Sequence, residues 1–548
     1  MAAVEQERFS RNKHGHGELP IDAARYCLEA AGVSPDRVDV VAFPWSVEGV
    51  KANRWAYARR NWSRIPGKAW RMIYGGTRRE RRRLGRLRSV LRTLEIDPDR
   101  VRIECVEHHL AHASSAYHFS GFENSAIVTI DGMGEVTSSM FAVGEGDRIR
   151  KLYEIQKPDS LGLFYSTMTQ YLGFEIADGE YKLMGMAPYG DPDRIDLSDI
   201  VRVRNGDMRL DLDYVWSPHG KRFGTQRFGR KLVKRLGPPR QGDSADEPYI
   251  HIAAATQRTF EETALALIDH HLGAQLEQSR RLCFAGGCAL NVSLNRLLAE
   301  DPRIDELYVA PGASDSGIAV GAAAYAAVQH GERLRPMRHA YYGPEFSTRQ
   351  IEEELDSRRI SYRRVEDPAA LAAELLADGE IVAWFQGRME FGPRALGNRS
   401  ILGHPGRLGT ADEINERIKY RERWRPFCPS VLEEYATQVL GTKHPAPFMT
   451  YAFRVAPAWR DRIPEVVHVD GTLRPQAVSA ATNPRFHRLI SKFHERTGLP
   501  CVINTSLNRR GEPIVCTPHE ALAMFYGSGL EHLFLEDVYV CKRLPVAP

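Results

Sequence analysis

Residues 125–134, Ser125-Ala126-Ile127-Val128-Thr129-Ile130-Asp131-Gly132-Met133-Gly134, form a short apolar run that stops at an acid and two glycines. Such a run, too short for a helix and closed by Asp-Gly, predicts a buried strand ending in a turn. The same pattern recurs outward in both directions. Residues 40–44 (VVAFP), 281–285 (RLCFA, stopped by Gly286-Gly287) and 307–310 (before Pro311-Gly312) read as further strands. Between them, residues 252–272 place apolar side chains at helical spacing, and residues 317–329 form an Ala-rich helix. Strands alternating with helices predict an α/β fold. Several strands end in glycine, acid or amide, and open α/β sheets bind ligands at the carboxyl ends of their strands.

The periodicity breaks at residues 338–350 (HAYYGPEFSTRQ and its surroundings), and a new helix begins at Gln350. Beyond it lie a strand at 381–385, a glycine- and arginine-rich loop at 387–399 and a second buried strand at 501–503. Two domains are expected, 1–345 and 346–548, with residues 217–246 as a loop insertion. The 548 residues are 43% hydrophobic and carry a formal charge of +4. That near-balance hides a segment: residues 51–94 hold fifteen Lys or Arg and one acid, Glu80, leaving a net −10 elsewhere. No apolar run has the roughly 18–20 residues of a spanning helix, so a membrane-spanning protein is excluded and no membrane partner is expected. The first residues lack the apolar core of a secretory signal. Eight cysteines without a C-x-x-C, many in apolar stretches, read as reduced buried thiols of a cytoplasmic protein.

Three groups of residues carry candidate chemistry. His108 and His112 stand one helical turn apart, while Asp131 and Asp315 follow strand ends. The histidine pair alone is compatible with a polar helix surface. Joined by two carboxylates, it makes a mixed N/O set suited to Fe(II), Mn(II) or Zn(II). Gly286-Gly287, followed by Asn291, joins a strand to a helix, as a phosphate-contacting turn or simply a tight one. In the second domain, Arg388, Arg394 and Arg399 lie in a glycine-rich loop, a setting for bidentate binding of phosphate or carboxylate. Lys419 and Arg421 follow in a charged run that is either a solvated face or part of that site. Asn504, Ser506 and Asn508 supply short polar groups after the strand at 501–503.

Nine ordered segments carry a resemblance over nearly the whole chain: QERFSRNKHG, EHHLAHASSAYHFSGF, VTIDGMGE, SLGLFY, DGEYKLMGMAPYG, FAGGCALN, GRMEFGPRALGNRSI, IKYRERWRPF and NTSLNRRGEPIVCTP. Together they resemble the O-carbamoyltransferase family of antibiotic and nodulation-factor biosynthesis. The resemblance implies an α/β chain with an actin/Hsp70-like (ribonuclease H-like) first domain of two sub-domains and a YrdC-like second domain. It implies ATP and carbamoyl phosphate as substrates, carbamoyl adenylate made in the second domain, and carbamoyl transfer to a small-molecule hydroxyl in the first. A divalent metal, Fe(II) before Mn(II), Mg(II) or Zn(II), would map to His108, His112, Asp131 and Asp315. Gly286, Gly287 and Asn291 would contact nucleotide. Arg388, Arg394, Arg399, Lys419 and Arg421 would hold the polyanions, with Asn504, Ser506 and Asn508 beside the adenylate. His109 is either a base for the acceptor hydroxyl or a hydrogen-bonding support of the metal.

A secondary-metabolite acceptor is expected, nucleic acid is not, and a homodimer is compatible with the reading. The alternatives are a tRNA-modifying relative and a truncated non-catalytic one. The family carries a strand-turn-strand with a His-Asp-Ser-like turn well ahead of the segment that here begins at Glu7, so the expectation is a start placed too late. Residues 51–94, where the resemblance fades, are read as a variable helical insert: a solvated face, a subunit or carrier-protein contact, or a nucleic-acid patch.

Overall fold

The computed structural model of the chain describes residues 1–75, 77–215, 227–442 and 444–543. They divide into two compact units, Pro35–Met337 on the one hand and Met1–Ser34 with Arg338–Pro548 on the other. The chain therefore begins in the unit in which it ends, whereas sequence order had placed residues 1–34 with the first domain. The reason is local. Arg8, 2% exposed, donates to the carbonyl of Gly392 at 2.8 Å, and Glu5 accepts from the Gly392 N–H at 2.7 Å. Buried charges of this kind need fixed partners, and theirs lie nearly four hundred residues on.

In Pro35–Met337 the core is a five-stranded sheet whose spatial order is Arg148–Gln156, Thr137–Glu145, Asn124–Ile130, Arg281–Ala285, Glu306–Val309. The first three pair antiparallel, and the last three run parallel. The parallel trio therefore ends along one edge, where Asp131, Gly286 and the turn after Val309 emerge. The helix His108–Ser120 covers this sheet, and the helix Ile318–Gln329 packs against it. Gly321 makes that contact: a Cβ there would lie 1.9 Å from the Ala111 carbonyl oxygen.

The basic tract folds as the helices Val47–Asn61, Pro66–Gly75 and Arg78–Thr93, a crossover between the parallel strands Val40–Phe43 and Arg102–Cys105. Within the expected insertion at 217–246, residues 217–226 lie outside the described residues; the rest includes a helix, Arg230–Leu236, and a buried Arg240. Among the described residues no helix is long and apolar enough to cross a membrane. All eight cysteines are free, but Cys105 is exposed and Cys27 and Cys541 only half-buried, because short surface strands and helices leave one side uncovered.

The other unit is built on an eight-stranded mixed sheet in the order Arg363–Arg364, Val538–Cys541, His532–Leu535, Val382–Phe385, Arg399–Gly403, Cys501–Ser506, Cys428–Leu432, Gln476–Val478. The strand expected at 501–503 runs on to Ser506, so Asn504 and Ser506 are strand residues rather than loop residues. Cross-strand pairing with Arg399–Gly403 holds them there.

Candidate functional site

At the sheet edge of Pro35–Met337 four donor groups converge. His108 and His112 are fully buried, one turn apart on their helix, with Nε2 atoms 3.1 Å apart. Asp131 Oδ2 lies 3.5 Å from His108 Nε2, and Asp315 Oδ1 lies 3.4 Å and 3.3 Å from the two Nε2 atoms. All four ligand atoms fall within 4.8 Å of one another. Three of the residues are buried, and Asp315 is exposed, leaving the cluster open on one side.

The arrangement fits a divalent cation. Two Nε2 atoms at this spacing stand about as far apart as neighbouring ligands at roughly 2.0–2.1 Å from one ion. The electrostatics agree. Burial disfavours charge on His108, yet Asp131 and Asp315 outweigh it and push its pKa up to about 10. Both aspartates are held low by the histidines despite desolvation. Two carboxylates beside two buried imidazoles favour positive charge between them, which a proton or a divalent metal ion can supply.

Gly287 N–H donates to Asp131 Oδ1 at 2.8 Å, and Gly286 N–H to the Ala313 carbonyl at 2.8 Å. Gly286 has φ 94°, and a Cβ there would meet the Ile130 oxygen at 2.2 Å, so the pair lets two strand ends approach while it orients a ligand carboxylate. Asn291 caps the helix Val292–Ala299 and exchanges hydrogen bonds with Gln257. Gly287 thus meets the His/Asp cluster through Asp131, and Gly286 and Asn291 follow with these groups engaged by protein. His109 is buried, with Nδ1 2.7 Å from the Thr129 hydroxyl and Nε2 3.1 Å from the Thr137 carbonyl. Burial and the charges of His108 and His112 hold its pKa well below normal, so it stays neutral and fully hydrogen-bonded.

Sequence reasoning missed Glu135, Asp159 and Ser160. The Glu135 carboxylate accepts N–H groups from Ser46 at 2.7 Å and His108 at 3.2 Å, fixing the start of the histidine helix. The Ser160 hydroxyl lies 2.7 Å from the Gly132 carbonyl, behind Asp131. Asp159, fully buried, pairs with Arg60 and Arg64 of the basic tract. Glu135 and Ser160 stand inside the quoted motifs VTIDGMGE and SLGLFY, the only sequence signal they carry.

The second candidate site lies in the unit of Arg338–Pro548. Lys419, 4% exposed, sends its ammonium to the Ser506 carbonyl at 2.7 Å, the Asn508 carbonyl at 2.9 Å and Asn508 Oδ1 at 2.6 Å. It ends a π-helical turn, Ile414–Lys419, and Tyr420 follows in the left-handed region with φ 48°. Such irregularities concentrate at functional positions. Here the reversal brings Arg421 back so that Nε donates to Asn415 Oδ1 at 2.5 Å while the guanidinium lies over Phe427. Burial, then the charges of Arg421, Arg425 and Lys13, lower the Lys419 pKa well below normal, so the pocket favours an added anion. Lys419, Arg421, Ser506 and Asn508 are thus gathered in one place.

Asn504 sits deeper, 2% exposed, donating to Ser430 Oγ at 2.8 Å. Arg399 is fully buried and donates to the carbonyls of Gln386, Gly387, Asn398 and Pro344, over the face of Phe385. Arg388 donates to the carbonyls of Gly343 and Tyr342 and to the Tyr26 hydroxyl. These two guanidiniums are engaged by backbone and scaffold the loop, while Arg394 is partly exposed on it. Buried Glu390, also missed, gathers the N–H groups of Leu396, Asn398 and Arg399 on one carboxylate oxygen.

Comparison with known proteins gives this chemistry a family. The chain is 37% identical to nodulation protein NolNO of Sinorhizobium fredii, across 99% of this chain and 77% of that one. It is 38% identical to nodulation protein NolO of Bradyrhizobium diazoefficiens, across 80% and 79% of the two chains. Among solved structures, the crystal structure of T. kodakarensis HypF is similar over 42% of this chain and 37% of that one, at 14% identity and a TM-score of 0.22. Residues 1–324 match the carbamoyltransferase N-terminus and residues 373–542 the carbamoyltransferase C-terminus. With both halves matched in order around the two clusters, the chain belongs to the carbamoyltransferase family and is an enzyme of that class.

Proposed function

We propose that this carbamoyltransferase is ATP-dependent and transfers to oxygen. Carbamoyl phosphate, ATP and water yield carbamoyl adenylate, pyrophosphate and inorganic phosphate in the unit of Met1–Ser34 and Arg338–Pro548: water releases phosphate from carbamoyl phosphate, and the carbamate left displaces pyrophosphate from ATP. The hydroxyl of a small-molecule natural product then attacks the carbamoyl carbon in Pro35–Met337, and AMP leaves. The observation that carries this reading is the convergence of His108, His112, Asp131 and Asp315 at the end of a parallel strand trio. A divalent ion held there supplies Lewis-acid polarisation of a carbonyl or phosphate oxygen. The chain's own part is to keep His109 neutral, to aim Asp131 through Gly287, and to leave the Asp315 side open for a substrate oxygen.

The strand order of the five-stranded sheet, with one antiparallel member among parallel ones, supports a ribonuclease H-like, actin/Hsp70-like core. The eight-stranded mixed sheet is the proposed YrdC-like part. There Lys419 and Arg421, with Ser506 and Asn508, would meet the polyanions, stabilising charge that develops as the phosphorus is attacked. Relatives that are nodulation proteins support a small-molecule acceptor. The test is pyrophosphate release from ATP by the metal-loaded full chain. Release that depends on carbamoyl phosphate supports the proposal, and release that ignores it, or none, defeats it.

A further inference from the structure

The basic tract presents an exposed aromatic face that the chemistry above does not use. Trp55, Arg59 and Trp62 follow at intervals of four and three along the helix Val47–Asn61 and its cap, and so share one face. Trp70 and Tyr74 share a face of Pro66–Gly75 in the same way. These rings are 59%, 49%, 54% and 67% exposed for Trp55, Trp62, Trp70 and Tyr74. Trp62 and Trp70 have ring centroids 6.4 Å apart, and Trp70 and Tyr74 4.3 Å apart, so they form one patch. The helices do not lack a core. Val50, Tyr57, Ala58, Ala69, Val90 and Leu91 are buried, so the exposed rings are additional to the packed side.

Charge follows the same division. Arg60 and Arg64 point inward to Asp159, while Arg59, Arg81, Arg82 and Arg86 are exposed. The tract carries +14 over residues 51–94, whereas the remainder of the chain carries −10. An anionic surface therefore attracts this face and repels the rest, which fixes the side that docks.

We infer that residues 47–93 form a docking face for an anionic phospholipid bilayer. Helices with Trp and Tyr on one side and arginine along the flank lie in the headgroup region, rings at the acyl boundary and guanidiniums on the phosphates. Base-stacking platforms for single-stranded nucleic acid are instead commonly built on sheets. Among the described residues no helix is long and apolar enough to cross a membrane, but surface attachment needs no such helix, so the expectation of no membrane partner narrows to no spanning helix.

Flotation of the full chain with phosphatidylcholine vesicles, with and without phosphatidylglycerol, tests this. Expected are binding that requires phosphatidylglycerol, its loss at high salt, and a shift of tryptophan emission to shorter wavelength on binding. The variant carrying Trp62→Ala, Trp70→Ala and Tyr74→Ala, and a second carrying Arg81→Gln, Arg82→Gln and Arg86→Gln, should each lower vesicle partition by at least about tenfold. All six side chains are exposed and lie outside both candidate sites, so melting should change little. No binding at low salt, or unaltered partition of the aromatic variant, overturns the inference. Binding of single-stranded RNA that competes with vesicles and needs the same rings would reassign the face and equally overturn it.

Discussion

At the residue scale, the His/Asp cluster separates what a ligand does from what the fold needs. Asp315 is exposed, so Asp315→Asn should leave the metal-free protein folded, at the cost only of its pairing with His108 and His112 and with less repulsion on Asp131. Its effect should fall on the ion. Thermal melts with added Fe(II) or Mn(II) should rise in the parent, by the ~2.7 kcal/mol that a ligand at a hundred times its Kd contributes, and stay flat in the variant. Lys419 gives a second prediction, through pH. Its folded pKa lies below the ordinary lysine value, so in the folded protein the ammonium loses its proton earlier as pH rises. Pyrophosphate affinity should therefore begin to fall below the usual lysine range, near 10.4, and Lys419→Met should bind weakly at every pH. Titration calorimetry across pH decides it; a profile flat to pH 10 would contradict it. Both sites were partly legible in sequence because their residue types stand in local patterns. The role of Arg399 was not, since a guanidinium among glycines reads alike whether its donors face a phosphate or, as here, four carbonyls.

At the element scale, the helix His108–Ser120 holds both imidazoles, and its position depends on one small residue of its neighbour. A Cβ at Gly321 would stand 1.9 Å from the Ala111 oxygen and 2.9 Å from Ser115 Cβ. Gly321→Val must push the two helices apart, at about 1–3 kcal/mol or more. Because His108 and His112 move with the backbone, metal affinity should fall together with the melting temperature, unlike the effect of Asp315→Asn. The control is Gly273, inside the helix Tyr249–Ser279, where a Cβ would meet only flexible side-chain ends at 3.7 Å. Gly273→Ala should raise stability by up to ~1 kcal/mol with metal binding unchanged. Strands and helices at 125–130, 281–285 and 317–329 were readable from apolar spacing, since each buries a continuous side. What the spacing did not reveal is that Gly321, an apparent interruption of the Ala-rich helix, is the contact surface itself. Nor did it show Glu135 and Asp159, whose partners come from distant segments.

At the scale of the whole molecule, the unit that contains Arg338–Pro548 is completed by the first residues of the chain. Sequence alone placed a boundary near residue 345 and could not see this closure, because nothing local marks a segment that packs far downstream. Glu5 and Arg8 tie the first residues to the loop at Gly392. Arg8 lies 3.4 Å from Glu5 and 3.1 Å from Glu7, and all of its outlets are buried or half-buried. Arg11 adds hydrogen bonds to the carbonyls of Ile514 and Pro513 at 2.7 Å each. Desolvation raises the Glu5 pKa even with Arg8 present, and without Arg8 its charge has no counterpart in the buried pair. Arg8→Ala should therefore destabilise that unit by about 3–5 kcal/mol, the cost of breaking a buried pair by removing one member. Arg8→Ala with Glu5→Gln should recover part of the loss, since the stranded charge goes as well. Unfolding followed by hydrogen exchange distinguishes the outcomes. Strands Val382–Phe385 and Cys501–Ser506 should exchange faster in Arg8→Ala, while Asn124–Ile130 and Arg281–Ala285 should keep the parent's protection. Equal acceleration in both sheets would mean that residues 1–34 support the entire chain rather than the unit they pack in.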